Sequence, residues 1–183
     1  MEKEDIAQLL DTAYCNYIAF IEETEGDFWL FAPEGKWTVG QHTKHLLQST
    51  KPLNLALSLP KFIIVWKYGK TNRALRPYEQ VIKRYEERLE ESRGKVYKAS
   101  QNMGVPHVNE KTYLLNRLQV EHRKLEYKTR NLSDQLLDEL VLPHPLMGKM
   151  PMREIIMWSA HHVDHHLQTL KDYQQQFRRA VQS

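Results

Sequence analysis

The fold of this chain is decided by its last long helix, where residues 151–177 read PMREIIMWSAHHVDHHLQTLKDYQQQF. Apolar residues recur there at intervals of three and four, the period of an amphipathic helix, and no β alternation competes with it. Pro151 at the first turn and Glu154 three residues later predict the start, and the pattern continues to about Phe177. One face of this helix, which carries several histidines, therefore turns towards a core.

Helical patterns also fill most of the preceding sequence. Four helices are predicted: Lys3 to Thr24, Thr38 to about Ser58, Pro77 through Val96, and a fourth that contains Leu115 and Leu125 and ends near Asn131. A short helical turn is predicted from Ser133 to Leu140. The connections are a packed loop at 28–35, a turn at 104–106 and a compact connection at 144–148. Thr38 and Gln41 form a capping box at the start of the second helix. Only the segment from Leu59 to Pro77 has no clear assignment. We expect one domain over residues 1–183, an all-α four-helix bundle with long crossover connections.

Composition excludes several classes of protein. The longest mostly apolar stretch, Leu53 to Trp66, is too short and too polar to span a membrane, and the charged N-terminus lacks the apolar core of a signal peptide. We therefore expect a cytoplasmic protein with no membrane partner. A formal net charge of +3 is far from the dense basic surface that nucleic-acid binding needs, so no nucleic-acid partner is expected.

The single cysteine, Cys15, excludes an intrachain disulfide and a thiolate zinc cage. A metal would have to be held by histidines and carboxylates. A lone cysteine on an otherwise ordinary helix face is typical of inert packing, so we assign Cys15 no catalytic role.

The last helix contains two histidine pairs at the i, i+4 spacing that allows chelation from one helix face: His161 with His165, and His162 with His166. At about 100° per residue, His162 and His166 fall on the apolar side of the helix. His161 and His165 fall on the opposite flank, where we expect exposure to solvent. Burying two imidazoles side by side is costly unless their nitrogens find partners, and a metal ion satisfies both. The inward pair is therefore predicted to bind a metal.

Another helix must supply at least a third ligand, and the second predicted helix carries His42 and His45 in its first two turns. Helical phase does not separate these two residues, so both remain candidates. His122 lies in a leucine stripe and is more typical of a core histidine.

Two motifs resemble those of the DinB/YfiT-like metalloproteins. One is Trp37-Thr-Val-Gly-Gln-His-Thr-Lys-His45-Leu, with a histidine eight residues after a tryptophan at a helix start. The other is the His-Pro-x-x-Gly connection followed by Glu154 and then His162-x-x-x-His166-x-Gln168. Leu46, Leu47 and Gln48 depart from the small or acidic residues that often follow the first motif, and residues 61–108 match no motif of the family.

The resemblance implies a four-helix bundle in which His45, His162 and His166 bind a divalent ion, typically zinc or nickel. It also implies transfer of a low-molecular-weight thiol, of the bacillithiol, mycothiol or glutathione class, to a small electrophilic substrate. Gln41 is a further candidate for a position behind the ligands or for a substrate contact. The alternatives are a non-enzymatic bundle that the metal stabilises as a dimer, and a metal-dependent hydrolase of a small ester or amide. A homodimer fits either class.

Overall fold

Helices dominate the computed structural model, which describes residues 1–92 and 103–182. In chain order the elements are α1 (Lys3–Glu22), α2 (Gly26–Leu30), α3 (Val39–Ser58), α4 (Lys61–Tyr68), α5 (Tyr78–Glu91), a 3-10 turn (Val108–Glu110), α6 (Lys111–Asn131), α7 (Asp134–Glu139), β1 (Val141–His144), β2 (Gly148–Pro151) and α8 (Met152–Gln182). The long helices α1, α3, α6 and α8 form the bundle, which confirms the predicted fold class. Val96, placed in the third predicted helix, lies outside the described residues.

The order of contacts around the bundle is α1, α6, α3, α8 and back to α1. Helices α3 and α6 run parallel, because Asn54 contacts Glu121 and, further along both helices, Ser58 contacts Lys128. Contacts at both ends show that α1 is antiparallel to α6, and the contacts of Met1 with Arg153 and of Tyr14 with Ser159 show that it is parallel to α8. Two parallel neighbours cannot be joined by a tight turn, so the chain between α3 and α6 forms the long crossover that the sequence predicts.

The start of α3 is fixed by two local features. Thr38 accepts a hydrogen bond from the Gln41 backbone amide at 3.2 Å while the Gln41 side chain accepts one from the Thr38 amide at 2.9 Å, so the predicted capping box is confirmed. Gly40 then lets the helix approach the fully buried ring of Trp29, because a Cβ at this position would lie 2.7 Å from Trp29 Cε2. The first turns of α3, which carry His42 and His45, are thereby held against α2.

Several local predictions differ from the structure. Residues 28–35 are not all loop, since Phe28 and Trp29 are buried in α2. The unassigned segment contains α4, and it continues into an extended stretch in which Lys70 bridges Leu140. Helix α5 packs on the outside of α8 and does not contribute one of the four bundle helices.

A small β-hairpin precedes α8, where the sequence pattern shows no β alternation. Its strands pair antiparallel from Val141 opposite Pro151 to His144 opposite Gly148. Gly148 has a φ of +72°, a conformation that favours glycine, and the turn is held by backbone amides of Leu146 and Met147 that donate to His144 Nδ1. Pro151 is therefore the last strand residue and α8 begins one residue later than predicted. Strands of four residues are too short for alternation to identify them.

Within the part of the chain that the structure describes, no helix combines the length and the apolar character needed to cross a bilayer.

Candidate metal centre

Three histidines from two helices meet at one point between α3 and α8. The Nε2 atoms of His45 and His162 are 3.2 Å apart, and those of His162 and His166 are 3.1 Å apart. One donor nitrogen from each of the three lies within 4.8 Å of the other two. In a tetrahedral zinc site with nitrogens at about 2.0–2.1 Å from the metal, ligand atoms are separated by about 3.3 Å. The three imidazoles are therefore arranged as a group that could hold a metal ion.

This convergence follows from helical spacing. His162 and His166 are separated by four residues, so they lie one turn apart on the buried face of α8, at 5% and 7% exposure. Helix α3 runs antiparallel to α8 here and brings His45 beside His162. The structure thus brings together the three residues that the sequence and the family resemblance name, and their role as ligands stays a prediction.

Burial keeps these imidazoles neutral. Desolvation lowers the pKa of His45 from 6.5 to about 4. It also holds the pKa values of His162 and His166 well below the ordinary range, and the neighbouring histidines lower them further. A neutral imidazole offers a lone pair to a cation, whereas a protonated one repels it. At neutral pH all three side chains are in the form that binds a metal.

His42 occupies a position behind the group. Its Nδ1 lies 2.8 Å from Nδ1 of His166, and the residue is 6% exposed. For Nε2 of His166 to carry a free lone pair, the His166 proton must sit on Nδ1 and be donated to His42. His42 then carries its own proton on Nε2, an atom that has no hydrogen-bond partner in the described part of the chain. Metal-binding histidines commonly donate their second N–H in this way, and His42 supplies the acceptor.

Two tryptophan rings flank the three imidazoles. Trp158 stacks on His162, with ring centroids 4.6 Å apart and planes 20° apart. Trp37 contacts the ring of His45 at a centroid distance of 5.0 Å. His45 is only half-buried, so the group is most accessible to solvent on the side of α3.

The prediction that His161 and His165 face solvent is wrong in part, because both are half-buried. Helix α5 covers this flank, and the ring of Tyr85 contacts both histidines edge-on. Glu154, which the sequence places at the start of the last helix, has no exposed side chain. It accepts hydrogen bonds from both terminal nitrogens of Arg73 at 2.6 Å.

The remaining candidates lie away from the three histidines. The Gln41 side chain is engaged by the capping box and by the Met103 carbonyl, to which it donates at 2.6 Å. The predicted roles of Gln41, a contact to a metal-binding side chain or to the substrate, therefore stay predictions. His122 is buried, as its place in the leucine stripe predicts, and it stacks on Tyr14. Cys15 is exposed, which contradicts the assignment to packing.

Sequence reasoning did not identify His42 as the partner of His166. Its only signal is the three-residue spacing from His45, which places both imidazoles on the same side of α3.

Known proteins are similar to this chain at the level of family and fold. The family model described as the DinB superfamily matches residues 9–170. The solved structure of YfiT from Bacillus subtilis, described as "a probable metal-dependent hydrolase with an unusual four-helix bundle topology", superposes with a TM-score of 0.59 at 19% sequence identity. The alignment covers 96% of this chain and 87% of YfiT. No curated protein is detectably similar in sequence.

Proposed function

The chain belongs to the DinB superfamily, and on that premise we propose that it is an enzyme that depends on a divalent metal held by His45, His162 and His166. The observation that carries the proposal is the convergence of three neutral Nε2 atoms at separations close to those of a tetrahedral metal site. Three protein ligands and an open position are typical of catalytic metal sites, whereas structural sites are closed by four.

The proposed reaction is transfer of a low-molecular-weight thiol to an electrophilic carbon of a small substrate. The three neutral imidazoles would leave the charge of a bound divalent ion uncompensated, and the ion would supply stabilisation of a thiol as its thiolate. The carbon–sulfur bond forms as the bond to the leaving group breaks, the leaving group keeps the electron pair, and the thiol proton passes to solvent. Zinc and nickel both suit a histidine site.

The side chains that contact the three histidines would orient the substrate and the ligands. Trp37 and Trp158 offer apolar surface on two sides of the imidazoles and limit the access of water. His42 would hold His166 in the tautomer whose Nε2 is free to bind. The half-buried edge of His45 would mark the side from which thiol and substrate enter.

Metal-dependent hydrolysis of a small ester or amide is the second candidate. It is favoured by the description of YfiT, whose fold this chain shares. The same site serves either reaction, because a divalent ion can also lower the pKa of a bound water to about 7.

The first experiment tests metal binding. Tag-free protein is purified, and its metal content is measured for wild type, His45→Ala and His162→Ala. We expect each of the two variants to contain one tightly bound divalent ion fewer per chain than wild type. His161→Ala is the matched control, because it removes a half-buried histidine from the adjacent pair on α8 and should retain the ion. Full occupancy in the first two variants would overturn the proposal.

The second experiment separates the reactions. Loaded and chelated protein are assayed for conjugation of bacillithiol, mycothiol or glutathione to a halogenated nitrobenzene, and for cleavage of a nitrophenyl ester without thiol. Metal-dependent thioether formation supports thiol transfer, and metal-dependent ester cleavage alone supports hydrolysis. If neither occurs and chelation strongly lowers the melting temperature or dissociates a dimer, the ion is a structural staple and both enzymatic proposals fail.

A further inference from the structure

A second group of donor atoms lies on the opposite side of the bundle, between α1 and α6. Asp11 and Cys15 are four residues apart on α1, and His122 and Glu126 are four residues apart on α6. Each helix therefore presents two donors on adjacent turns. All four residues line one surface cavity of about 260 Å³.

His122 indicates that this cavity binds a ligand. The residue is 2% exposed, and its Nε2 atom has no hydrogen-bond partner among residues 1–92 and 103–182. The nearest carboxylate oxygen, Oδ1 of Asp11, is 3.7 Å away, which is too far for a hydrogen bond. The ring is fixed by stacking on Tyr14, with planes 6° apart. A buried polar atom held rigidly without a partner is costly, so it points to a group that satisfies it.

The neighbouring donors are spaced for an ion. One donor atom from each of Asp11, His122 and Glu126 lies within 4.8 Å of the other two. Cys15 Sγ lies 3.5 Å from Oδ1 of Asp11. The distances to Asp11 Oδ1, 3.5 Å from Cys15 Sγ and 3.7 Å from His122 Nε2, are near the roughly 3.3–3.5 Å between ligand atoms in a tetrahedral zinc site with mixed donors. Cys15 itself is not among the donors that lie within 4.8 Å of one another, so its exposed side chain would have to rotate to join them.

Charge in the cavity favours a cation. Asp11, Glu22 and Glu126 contribute three carboxylates to its lining, against the single guanidinium of Arg123. Arg130 donates to Oε1 of Glu126, which leaves the second oxygen of that carboxylate for another partner.

We propose that Asp11, His122 and Glu126 form a second metal site that binds Zn²⁺ or a chemically similar ion, with Cys15 as the fourth ligand once its exposed side chain rotates towards them. Imidazole, thiolate and carboxylate together are the donor set that zinc takes in proteins. The ion would tie α1 to α6 and would satisfy the buried nitrogen of His122. This site is independent of the histidines on α3 and α8, since it lies in the opposite groove of the bundle.

The test uses Cys15 as a reporter, because it is the only cysteine in the chain. Tag-free protein is freed of metal with a chelator, and alkylation of Cys15 is followed with and without added Zn²⁺. At free Zn²⁺ about ten times the dissociation constant, about one chain in eleven stays unliganded, so the alkylation rate should fall about tenfold. An unchanged rate in wild type would overturn the proposal.

Variants assign the effect to the site. Asp11→Asn and Glu126→Gln should each reduce the protection, because both carboxylates lie at the partly exposed rim of the cavity and their replacement leaves the core intact. Glu87→Gln, an exposed substitution on α5, and His162→Ala should keep it. Protection that persists in Asp11→Asn, or that His162→Ala abolishes, would overturn the proposal.

A spectroscopic measurement completes the test. Co²⁺ bound by the thiolate of Cys15 should give a sulfur-to-metal charge-transfer band that Cys15→Ser abolishes and His162→Ala retains. A plain ion pair between protonated His122 and Asp11 would give no band and no protection. Either result alone would therefore decide against the metal site.

Discussion

Replacement of His42 by alanine tests the structure of the metal centre most directly. The substitution removes the acceptor that lies 2.8 Å from Nδ1 of His166 while leaving all three proposed ligands in place. Without this acceptor, nothing in the described contacts fixes His166 in the tautomer whose Nε2 is free. Loss of such an outer partner typically weakens metal binding by about 10-fold to 100-fold. We therefore expect a loss of about 1.4–2.8 kcal/mol in binding free energy.

The cost to the fold should be small by comparison. His42 is 6% exposed, so alanine leaves a cavity, but it also removes the Nε2 atom that has no partner. His42→Asn is the matched control, because its amide oxygen can occupy nearly the position of the imidazole Nδ1 and accept the same proton. We expect this variant to bind zinc within a few-fold of wild type.

The assay is competition for Zn²⁺ against a chromophoric chelator at fixed pH, in an Asp11→Asn background so that only the site between α3 and α8 is measured. His45→Ala sets the scale for loss of a ligand. The reasoning is refuted if His42→Ala binds as tightly as wild type, or if His42→Asn loses as much affinity as His42→Ala.

Three further predictions concern stability. Gly40→Ala gains about 1 kcal/mol of helix propensity but forces a Cβ against the immobile ring of Trp29, at a cost of about 1–3 kcal/mol. The melting temperature should therefore fall by a few degrees, and a rise would contradict the close approach. Arg73→Ala should destabilise the fold by about 2–4 kcal/mol in urea unfolding, because the buried negative charge of Glu154 loses a positively charged partner. The double variant with Glu154→Met should recover part of the loss. Equal stability of wild type and Arg73→Ala would contradict the buried pair. Burial lowers the pKa of His144 from 6.5 to about 4, so the unfolded chain binds a proton at this residue more readily than the folded chain does. The chelated protein should therefore lose stability as pH falls from 6.5 towards 4, by up to about 3 kcal/mol from His144. A melting temperature that does not change over that pH range would contradict the prediction.

The bundle and two of the three candidate ligands were predictable because they depend on local spacing. The apolar stripe of α8 continues for more than five turns, so the inward position of His162 and His166 follows from helical phase alone. The start of α3 followed from the capping box of Thr38 and Gln41.

The choice between His42 and His45 depended on the family resemblance, and the structure explains why. Both imidazoles face the same site from adjacent turns, with His45 among the converging Nε2 atoms and His42 behind His166. An angular criterion cannot separate two residues that are both directed inward.

Features that depend on tertiary partners were not predictable. His161 is half-buried because α5 packs on its side of α8, and the sequence of α5 does not indicate that partner. Glu154 is buried against Arg73 and Arg76, which come from a segment with no clear pattern. The β-hairpin is defined by pairing between strands of four residues, which is a non-local property.

The position of the three histidines along the chain has a consequence for folding. His162 and His166 can meet an ion as soon as one turn of α8 forms, but His45 is 117 residues away from His162. Closing so long a loop carries an entropic cost, which the packing of α3 against α8 must offset. An ion that is held by all three side chains therefore reports that α3 and α8 have come together. Its release should follow the rate at which α3 and α8 separate, so metal retention under mild denaturant would measure kinetic stability.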